Sequence, residues 1–196
     1  LPVKVEGPTV GGYRPTTEYE YYDGQWSPSS PGLPRQLKRV GDVKNDDSTW
    51  SQYDAFGRLT RVAKPGDSLA DPTQQFVYYE GNALNWGSGP KAMVATYQKT
   101  ETGLPKLWSR KFYDGLGRLV QTQTPAEDWV DQGGGQIDGM DIVQYTTFDS
   151  LGRVAKESLP YEVPAYEPVG SPLLSPYKAP VSEAGTSYTY DALGRP

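Results

Sequence analysis

The chain has 196 residues, a formal net charge of −5, and neither cysteine nor histidine. Disulfides, thiolate metal sites and catalytic arrangements built on histidine or cysteine are therefore excluded, and the acidic balance disfavours nucleic acid and anionic membranes as partners. A content of 15 tyrosines, 22 glycines and 18 prolines, with 36% hydrophobic residues, is typical of short strands joined by many turns.

The first 47 residues predict two strands, over residues 17–22 and 36–40, separated by a Ser/Pro-rich loop at 27–34. Residues 22–24, Tyr-Asp-Gly, form half of a motif that is complete only later in the chain. We therefore interpret residues 1–47 as a degenerate or divergent copy of the repeats found in residues 48–196, and residues 1–196 as a single β-sheet segment of a larger protein.

One motif, Tyr/Phe-Asp-x-x-Gly-Arg, occurs four times at unequal intervals. A constant unit with variable connections indicates that insertions fall between repeats and not inside them. The residues that define the four copies are Tyr53, Asp54, Gly57 and Arg58; Tyr113, Asp114, Gly117 and Arg118; Phe148, Asp149, Gly152 and Arg153; and Tyr190, Asp191, Gly194 and Arg195.

Strand-prone runs flank the first three copies, which predicts antiparallel hairpins over residues 49–64, 107–125 and 142–159. A proline follows each return strand, at Pro65, Pro125 and Pro160, and ends it because proline has no N–H for a ladder. Two more strands are predicted over residues 74–79 and 92–98, and the long stretch 160–180 reads as a surface loop. No helix is predicted, so the expected fold is all-β, with consecutive hairpins forming a curved sheet.

The motif fits a three-residue hairpin loop in which a type I turn is followed by a residue in the left-handed region. Asp54 is expected to accept hydrogen bonds from the N–H groups two and three residues on, and Gly57 to take the positive φ. An exposed ion pair between Asp54 and Arg58 should add less than about 1 kcal/mol. Tyr53 and Leu59 should then be cross-strand neighbours, and the other copies should behave alike.

Beyond that pair the alternation is poor, because apolar residues also lie on the opposite side of the strands from Tyr53 and Tyr113. The sequence therefore assigns neither face to solvent and predicts either neighbours on both sides or an enclosed face. The residues in question are Trp50, Val62, Trp108, Phe112 and Val120.

Ligand sites are weaker hypotheses. Four aromatic residues interpreted as exposed, Trp26, Trp86, Trp108 and Trp129, are candidates for stacking on sugars, although packing in the core or the sheet is the favoured use of most of them. The carboxylates of Glu127 with Asp128, or of Asp138 with Asp141, have the chemistry of a glycosidase pair. The cluster Asn45, Asp46 and Asp47, or the loop from Asp128 to Asp141, offers the oxygen ligands of a Ca²⁺ site. Acidic residues in a Gly-rich loop are nearly always solvated, and this interpretation is favoured over both sites, so no catalytic residue, metal ligand or cofactor is assigned.

The four motif copies resemble the YD repeats of bacterial Rhs proteins, of the B and C components of insecticidal toxin complexes, and of the teneurin shell. The resemblance extends from about residue 49 to residue 195. It implies a long β-sheet strip that spirals into a hollow shell, which encloses a toxin in the Rhs and toxin-complex proteins and supports adhesion in teneurins. The self-cleaving core motif of the family has no counterpart in this sequence.

The resemblance favours a non-enzymatic scaffold, one wall segment of a larger secreted or cell-surface bacterial protein. Its expected partners are the remaining repeats of the parent protein and a toxin or other polypeptide cargo, without nucleic acid and without insertion into a membrane. The alternative function is an adhesion module that presents loop aromatics to a glycan or a protein.

Overall fold

The computed structural model describes residues 3–9, 11, 14–24, 27–42, 47–80, 89–100, 107–126, 130–131, 137–164, 177–178 and 184–195. Within these ranges all the regular secondary structure is β-strand, and all the strand pairings are antiparallel. The all-β fold of consecutive hairpins that the sequence predicts is confirmed. The same ranges contain no helix of the length and apolarity needed to cross a membrane.

The strands are β1 (Lys4–Glu6), β2 (Thr16–Tyr21), β3 (Leu37–Asp42), β4 (Asp47–Tyr53), β5 (Leu59–Ala63), β6 (Gln74–Glu80), β7 (Ala92–Gln98), β8 (Leu107–Tyr113), β9 (Leu119–Pro125), β10 (Val130–Asp131), β11 (Ile137–Asp138), β12 (Met140–Phe148), β13 (Val154–Ser158), β14 (Tyr161–Pro164) and β15 (Gly185–Ser187).

The chain divides into two compact units, Leu1–Phe76 and Val77–Pro196. In the first unit the strands pair in chain order from β1 to β5, and Gln74 and Gln75 at the start of β6 pair with β5. The predicted hairpin over residues 49–64 is the β4–β5 pair of this unit. That residues 1–196 form a single domain stays a prediction.

In the second unit the order is β7-β8-β9-β12-β13-β15, and β10 and β11 form a separate two-stranded sheet. The predicted hairpins over 107–125 and 142–159 are β8–β9 and β12–β13. Residues 161–164, expected to be loop, instead form β14, which pairs with the first half of β12 while β13 pairs with the second half. Where the ladder passes from one partner to the other, the buried Ser158 hydroxyl accepts the Tyr145 N–H at 2.9 Å.

The core of the second unit lies on one face of its sheet. Alternate side chains of β7, β8, β9 and β12 are buried there, including Met93 and Ala95 of β7, Phe112 of β8 and Val143 of β12. On the other face of β8, Leu107 is 58% exposed and Lys111 is exposed. Of the two predicted alternatives, neighbours on both sides is therefore wrong for β8, because one of its faces is enclosed and the other is open.

Candidate functional site: repeated turns and a covered sheet face

All four motif copies form the same turn. Gly57, Gly117, Gly152 and Gly194 have φ between 78° and 82°, as predicted. In the second copy the Asp114 N–H donates to the Arg118 carbonyl and the Gly117 N–H donates to the Asp114 carbonyl, both at 3.0 Å. The other three copies repeat these two bonds within 0.2 Å. Six consecutive residues therefore determine the turn without help from the rest of the chain.

The aspartate side chain closes the turn from inside. One Asp114 oxygen accepts the N–H groups of Leu116 and Arg118 at 2.9 Å, and the other accepts the Arg118 side chain at 2.7 Å. The second backbone donor is thus four residues on, not three as expected, because the N–H three residues on bonds the Asp114 carbonyl. The charged groups are also less exposed than expected, with 22% of the Asp114 side chain and 31% of the Arg118 side chain accessible.

These contacts hold the carboxylates ionised. Partial burial by itself raises the pKa of Asp114, but the bonds from the Arg118 N–H, the Arg118 side chain and the Leu116 N–H outweigh it, so the pKa lies below its usual value. The pKa values of Asp54 and Asp149 are lowered by the same balance. At Asp191 the bonds from the Arg195 backbone and side chain are the largest cause of a lowered pKa.

The aromatic and aliphatic residues that bracket each turn face one another. Tyr53 pairs with Leu59, Tyr113 with Leu119, and Phe148 with Val154. In each hairpin the register shifts just before the aromatic residue, as a bulge requires. The predicted side-by-side placement is confirmed in all three hairpins.

We expect Gly117→Ala to lower the free energy of unfolding by about 1 to 2 kcal/mol, because an L-residue in the left-handed region is strained. A Cβ at this position would meet no atom within 4 Å, so the cost is one of backbone conformation alone. Gly115→Ala is the matched control in the same turn, since alanine stands at the equivalent positions Ala55 and Ala192. Urea unfolding curves measure the stability of both variants. An equal loss of unfolding free energy in Gly117→Ala and Gly115→Ala would refute the assignment of strain to Gly117.

Successive turns of the second unit stack on one another through the motif arginines. The Arg118 guanidinium lies over the Phe148 ring of the next turn, 4.1 Å from its centroid, and Arg153 lies over Tyr190 at 4.2 Å. Arg118 Nη1 is 3.1 Å from the place that a Cβ on Gly152 would occupy, so that glycine also permits the close approach. The same arginine therefore closes its own turn and contacts the following one.

The degenerate turn in the first unit follows the same plan in a different register. Tyr21 pairs with Leu37, so Tyr21 takes the place expected for Tyr22. The Tyr22 N–H donates to the Gln36 carbonyl and the Arg35 N–H to the Tyr22 carbonyl, the two bonds that close the complete motifs. Arg35, with φ of 68°, stands where the other turns have glycine. The longer loop hid this correspondence in the sequence.

Links to the following turn also exist in the first unit. Gln36, in the position of the motif arginine, donates to the Gly57 carbonyl at 2.7 Å. The Tyr53 hydroxyl donates to the Leu37 carbonyl at 3.0 Å, and in the second unit the Tyr190 hydroxyl donates to the Val154 carbonyl at 2.8 Å. Leu37 and Val154 both follow the last residue of a turn, so the aromatic residue of each of these turns anchors on the turn before it.

The covered face of the second unit carries an unexpected polar set. Arg110, Gln121, Gln123 and Asp141 are each at most 1% exposed, although they belong to residue types that are usually exposed. Gln123 donates to the Gln121 side-chain oxygen at 2.8 Å. Their strands β8, β9 and β12 are adjacent, which aligns the four side chains on the same face as Phe112.

Tyr177 and Lys178 lie against this face. The Gln121 amide donates to the Lys178 carbonyl at 2.6 Å and its oxygen accepts the Lys178 N–H at 3.1 Å, a two-point contact of the kind made between strands. The Tyr177 ring lies 5.9 Å from that of Phe112. A glutamine side chain thus holds the backbone of a residue 57 positions further on.

Charge is concentrated on this face. Burial is the main cause of a lowered Lys178 pKa; Asp141 acts against it and Arg110 reinforces it, so all three charges interact. Burial raises the pKa of Tyr79 to about 12, which keeps that hydroxyl protonated. The Arg110 guanidinium lies 4.1 Å from the centroid of the Trp108 ring.

A cleft of about 230 Å³ opens beside the second turn, between the motif residues and Tyr177. Its polar side chains are those of the Asp114–Arg118 pair, two threonines and Tyr177, and the charged pair is already satisfied within its own turn. The lining residues are Gly89, Pro90, Asp114, Arg118, Val120, Thr146, Thr147, Phe148 and Tyr177.

The predicted ligand residues receive little support. Trp108 is 5% exposed and lies beneath Arg110, so the expectation that it is exposed for stacking is wrong. Trp26, Trp86 and Trp129 lie outside the described residues. The structure therefore presents none of the four rings to a sugar within the part of the chain that it describes.

The predicted acidic sites fare similarly. Glu127, Asp128, Asn45 and Asp46 fall outside the described ranges, and Asp141, predicted in a solvated loop, is buried on the covered face. Among the described residues no group of three or more acidic side chains is placed to hold a metal ion. The sequence analysis did not identify Arg110, Gln121 and Gln123 as site residues. The only sequence signal for their burial is that they lie on the same face of the strands as the buried aromatic residues Phe112 and Tyr145.

Residues 88–192 match the family described as a domain of unknown function, DUF6443. The match lies wholly within the second unit and includes the second and third turns and the start of the fourth. No curated protein matches the chain. Because the matched region is more than half of the 196 residues, the chain belongs to the DUF6443 family.

Proposed function

We propose that this chain is a structural scaffold, a wall segment of a hollow YD-repeat shell that encloses a toxin or another polypeptide cargo. The resemblance of its four turns to the repeats of Rhs and toxin-complex proteins is the starting point. A protein of that kind acts outside the cell that makes it, so the parent is secreted or displayed at the cell surface. The remaining repeats of the parent and the cargo are the partners that the proposal requires.

The observation that carries the proposal is the contact between successive turns. A scaffold made of repeats is stabilised by the interface between each repeat and the next. Arg118 on Phe148 and Arg153 on Tyr190 are two copies of one such interface. At these two contacts the Arg118 and Arg153 side chains are 31% and 32% exposed.

A double-mutant cycle measures this interface. We expect Arg118→Ala and Phe148→Leu to be non-additive by about 1 kcal/mol in the free energy of unfolding, the strength of a partly buried cation–π contact. The control cycle combines Arg118→Ala with Tyr190→Leu, which belong to turns that do not stack on each other, and should be additive. Coupling of equal size in both cycles would remove the support for a repeat-to-repeat interface.

The function itself is tested on the natural gene product that contains this chain. Electron microscopy should show a particle with a lumen, and limited proteolysis should leave a contiguous non-repeat polypeptide intact. The same polypeptide should be cleaved once the particle has been opened with denaturant. A solid particle, or equal cleavage before and after opening, would reject the shell.

The adhesion alternative rests on exposed aromatic residues, and Trp108 does not provide one. A glycan array probed with this chain separates the two functions, because a wall segment binds no glycan above background. Specific glycan binding that is lost in Trp26→Ala, Trp86→Ala or Trp129→Ala would favour the adhesion module over the scaffold.

A further inference from the structure

Of the three Asp-Gly pairs in the chain, two follow a tyrosine and so share one tripeptide, Tyr-Asp-Gly. The first copy, at residues 22–24, belongs to the degenerate turn of the first unit, and the second, at residues 113–115, belongs to a complete turn of the second unit. Aspartate followed by glycine is the dipeptide most prone to spontaneous ring closure, because glycine has no Cβ to hinder attack by its backbone nitrogen. Since the two tripeptides are identical, any difference in their reactivity comes from their surroundings.

The ring closure needs no reagent besides water. In the first copy, the Gly24 backbone nitrogen bonds to Cγ of the protonated Asp23 carboxyl group. The carboxyl hydroxyl group and the proton of the nitrogen leave as water, and a succinimide ring remains. Water then opens the ring at either carbonyl. Opening at the Asp23 main-chain carbonyl leaves the chain running through Cγ, and this product is isoaspartate.

In the complete turn the Asp114 carboxylate is already engaged through both oxygens. One oxygen accepts the N–H groups of Leu116 and Arg118 at 2.9 Å, and the other accepts Nε and Nη2 of the Arg118 side chain at 2.7 Å. Ring closure expels one of these oxygens, so two donors would lose their acceptor. The lowered pKa of Asp114 also keeps the group ionised, and a carboxylate is a poorer electrophile than the protonated acid.

Asp23 lacks these contacts. Tyr22 takes the position of the motif aspartate in the degenerate turn, so Asp23 lies one residue beyond it and does not close the turn. Within the part of the chain that the structure describes, no hydrogen bond reaches the Asp23 carboxylate. Asp23 and Gly24 are both exposed, and a Cβ on Gly24 would meet nothing within 4 Å. The carboxyl group therefore has room to turn toward the Gly24 nitrogen.

We propose that Asp23–Gly24 is a site of spontaneous isoaspartate formation, and that the closed turn protects the same tripeptide at Asp114. Turn closure therefore also shields an Asp-Gly pair that the unfolded chain leaves open to attack. The modification adds one carbon atom to the main chain directly after Tyr22, whose backbone makes both closing bonds of the degenerate turn. The inference does not depend on the shell and can fail independently of it.

Incubation of the intact chain at physiological temperature and neutral pH tests the proposal. Labelling with an isoaspartyl methyltransferase, followed by peptide mapping, measures isoaspartate at each site. We expect Asp23 to react at least about tenfold faster than Asp114, a difference of about 1.4 kcal/mol in the barrier. In guanidinium chloride, which unfolds the turn, the two sites should react at the same rate. Equal rates in the folded chain, or unequal rates in the unfolded chain, would overturn the proposal.

Two substitutions separate the effect of the fold from that of the sequence. Gly24→Ala should suppress isoaspartate at Asp23 and leave the melting temperature unchanged, because the added Cβ meets no atom within 4 Å. Ala55→Gly places an Asp-Gly pair in the complete turn of the first unit, where the Asp54 carboxylate makes the same bonds as Asp114. Asp54 should then react as slowly as Asp114. Reaction of Asp54 at the rate of Asp23, or a rate at Asp23 that Gly24→Ala does not lower, would contradict the proposal.

Discussion

Replacing Asp141 by alanine is expected to lower the free energy of unfolding by about 3 to 5 kcal/mol, the usual cost of removing one partner from a buried set of charges. The Asp141 side chain is 1% exposed, and so is that of Arg110. Both change the pKa of the half-buried Lys178 ammonium. Asp141 raises this pKa and so favours the charged form, whereas Arg110 lowers it. Without the carboxylate, the covered face retains the buried Arg110 charge and the half-buried Lys178 charge without a negative partner from Asp141.

Urea unfolding followed by circular dichroism measures the loss. Glu162→Ala is the control, because Glu162 is an exposed acid on β14, next to the part of β12 that carries Asp141. Asp141→Asn keeps the shape and removes only the charge, so it should also be strongly destabilising. If Asp141→Ala costs no more than Glu162→Ala, the buried charges do not stabilise the second unit.

Gly32→Ala is expected to destabilise the first unit by about 2 to 3 kcal/mol, because the added methyl group would overlap the Tyr22 ring. Tyr22 is 6% exposed, its hydroxyl donates to the Ser51 carbonyl at 3.1 Å, and its ring meets that of Tyr53 edge to face at 6.2 Å. The ring cannot move aside without giving up these contacts. The loss therefore comes from packing, since Gly32 is not at positive φ.

Gly24→Ala is the matched control, since a Cβ there would meet nothing within 4 Å, and it should change stability by less than about 0.5 kcal/mol. A second comparison removes the obstacle: in a Tyr22→Ala background, Gly32→Ala should cost little. If Gly32→Ala costs as much in that background as in the wild type, overlap with Tyr22 is not the cause.

The sequence alone determined the repeated turns. Each one is closed by contacts between residues no more than four positions apart, such as Asp114 with Arg118. The left-handed residue is a glycine in all four copies. Because these interactions are local, the spacing of a six-residue motif is enough to predict the hairpins and the pairing of Tyr53 with Leu59. The degenerate turn shows the limit, since its two halves are separated by a loop and the motif was placed one residue too late.

Tertiary structure decided which face of the second unit is covered, and by what. Alternation along a strand separates its residues into two faces, but it does not say which face another part of the chain will cover. That cover includes Tyr177 and Lys178, which meet Gln121 across 57 residues of sequence. The burial of Arg110 and Asp141 follows from this non-local contact, because charged residues are placed in an interior only where partners from distant strands compensate for the loss of water.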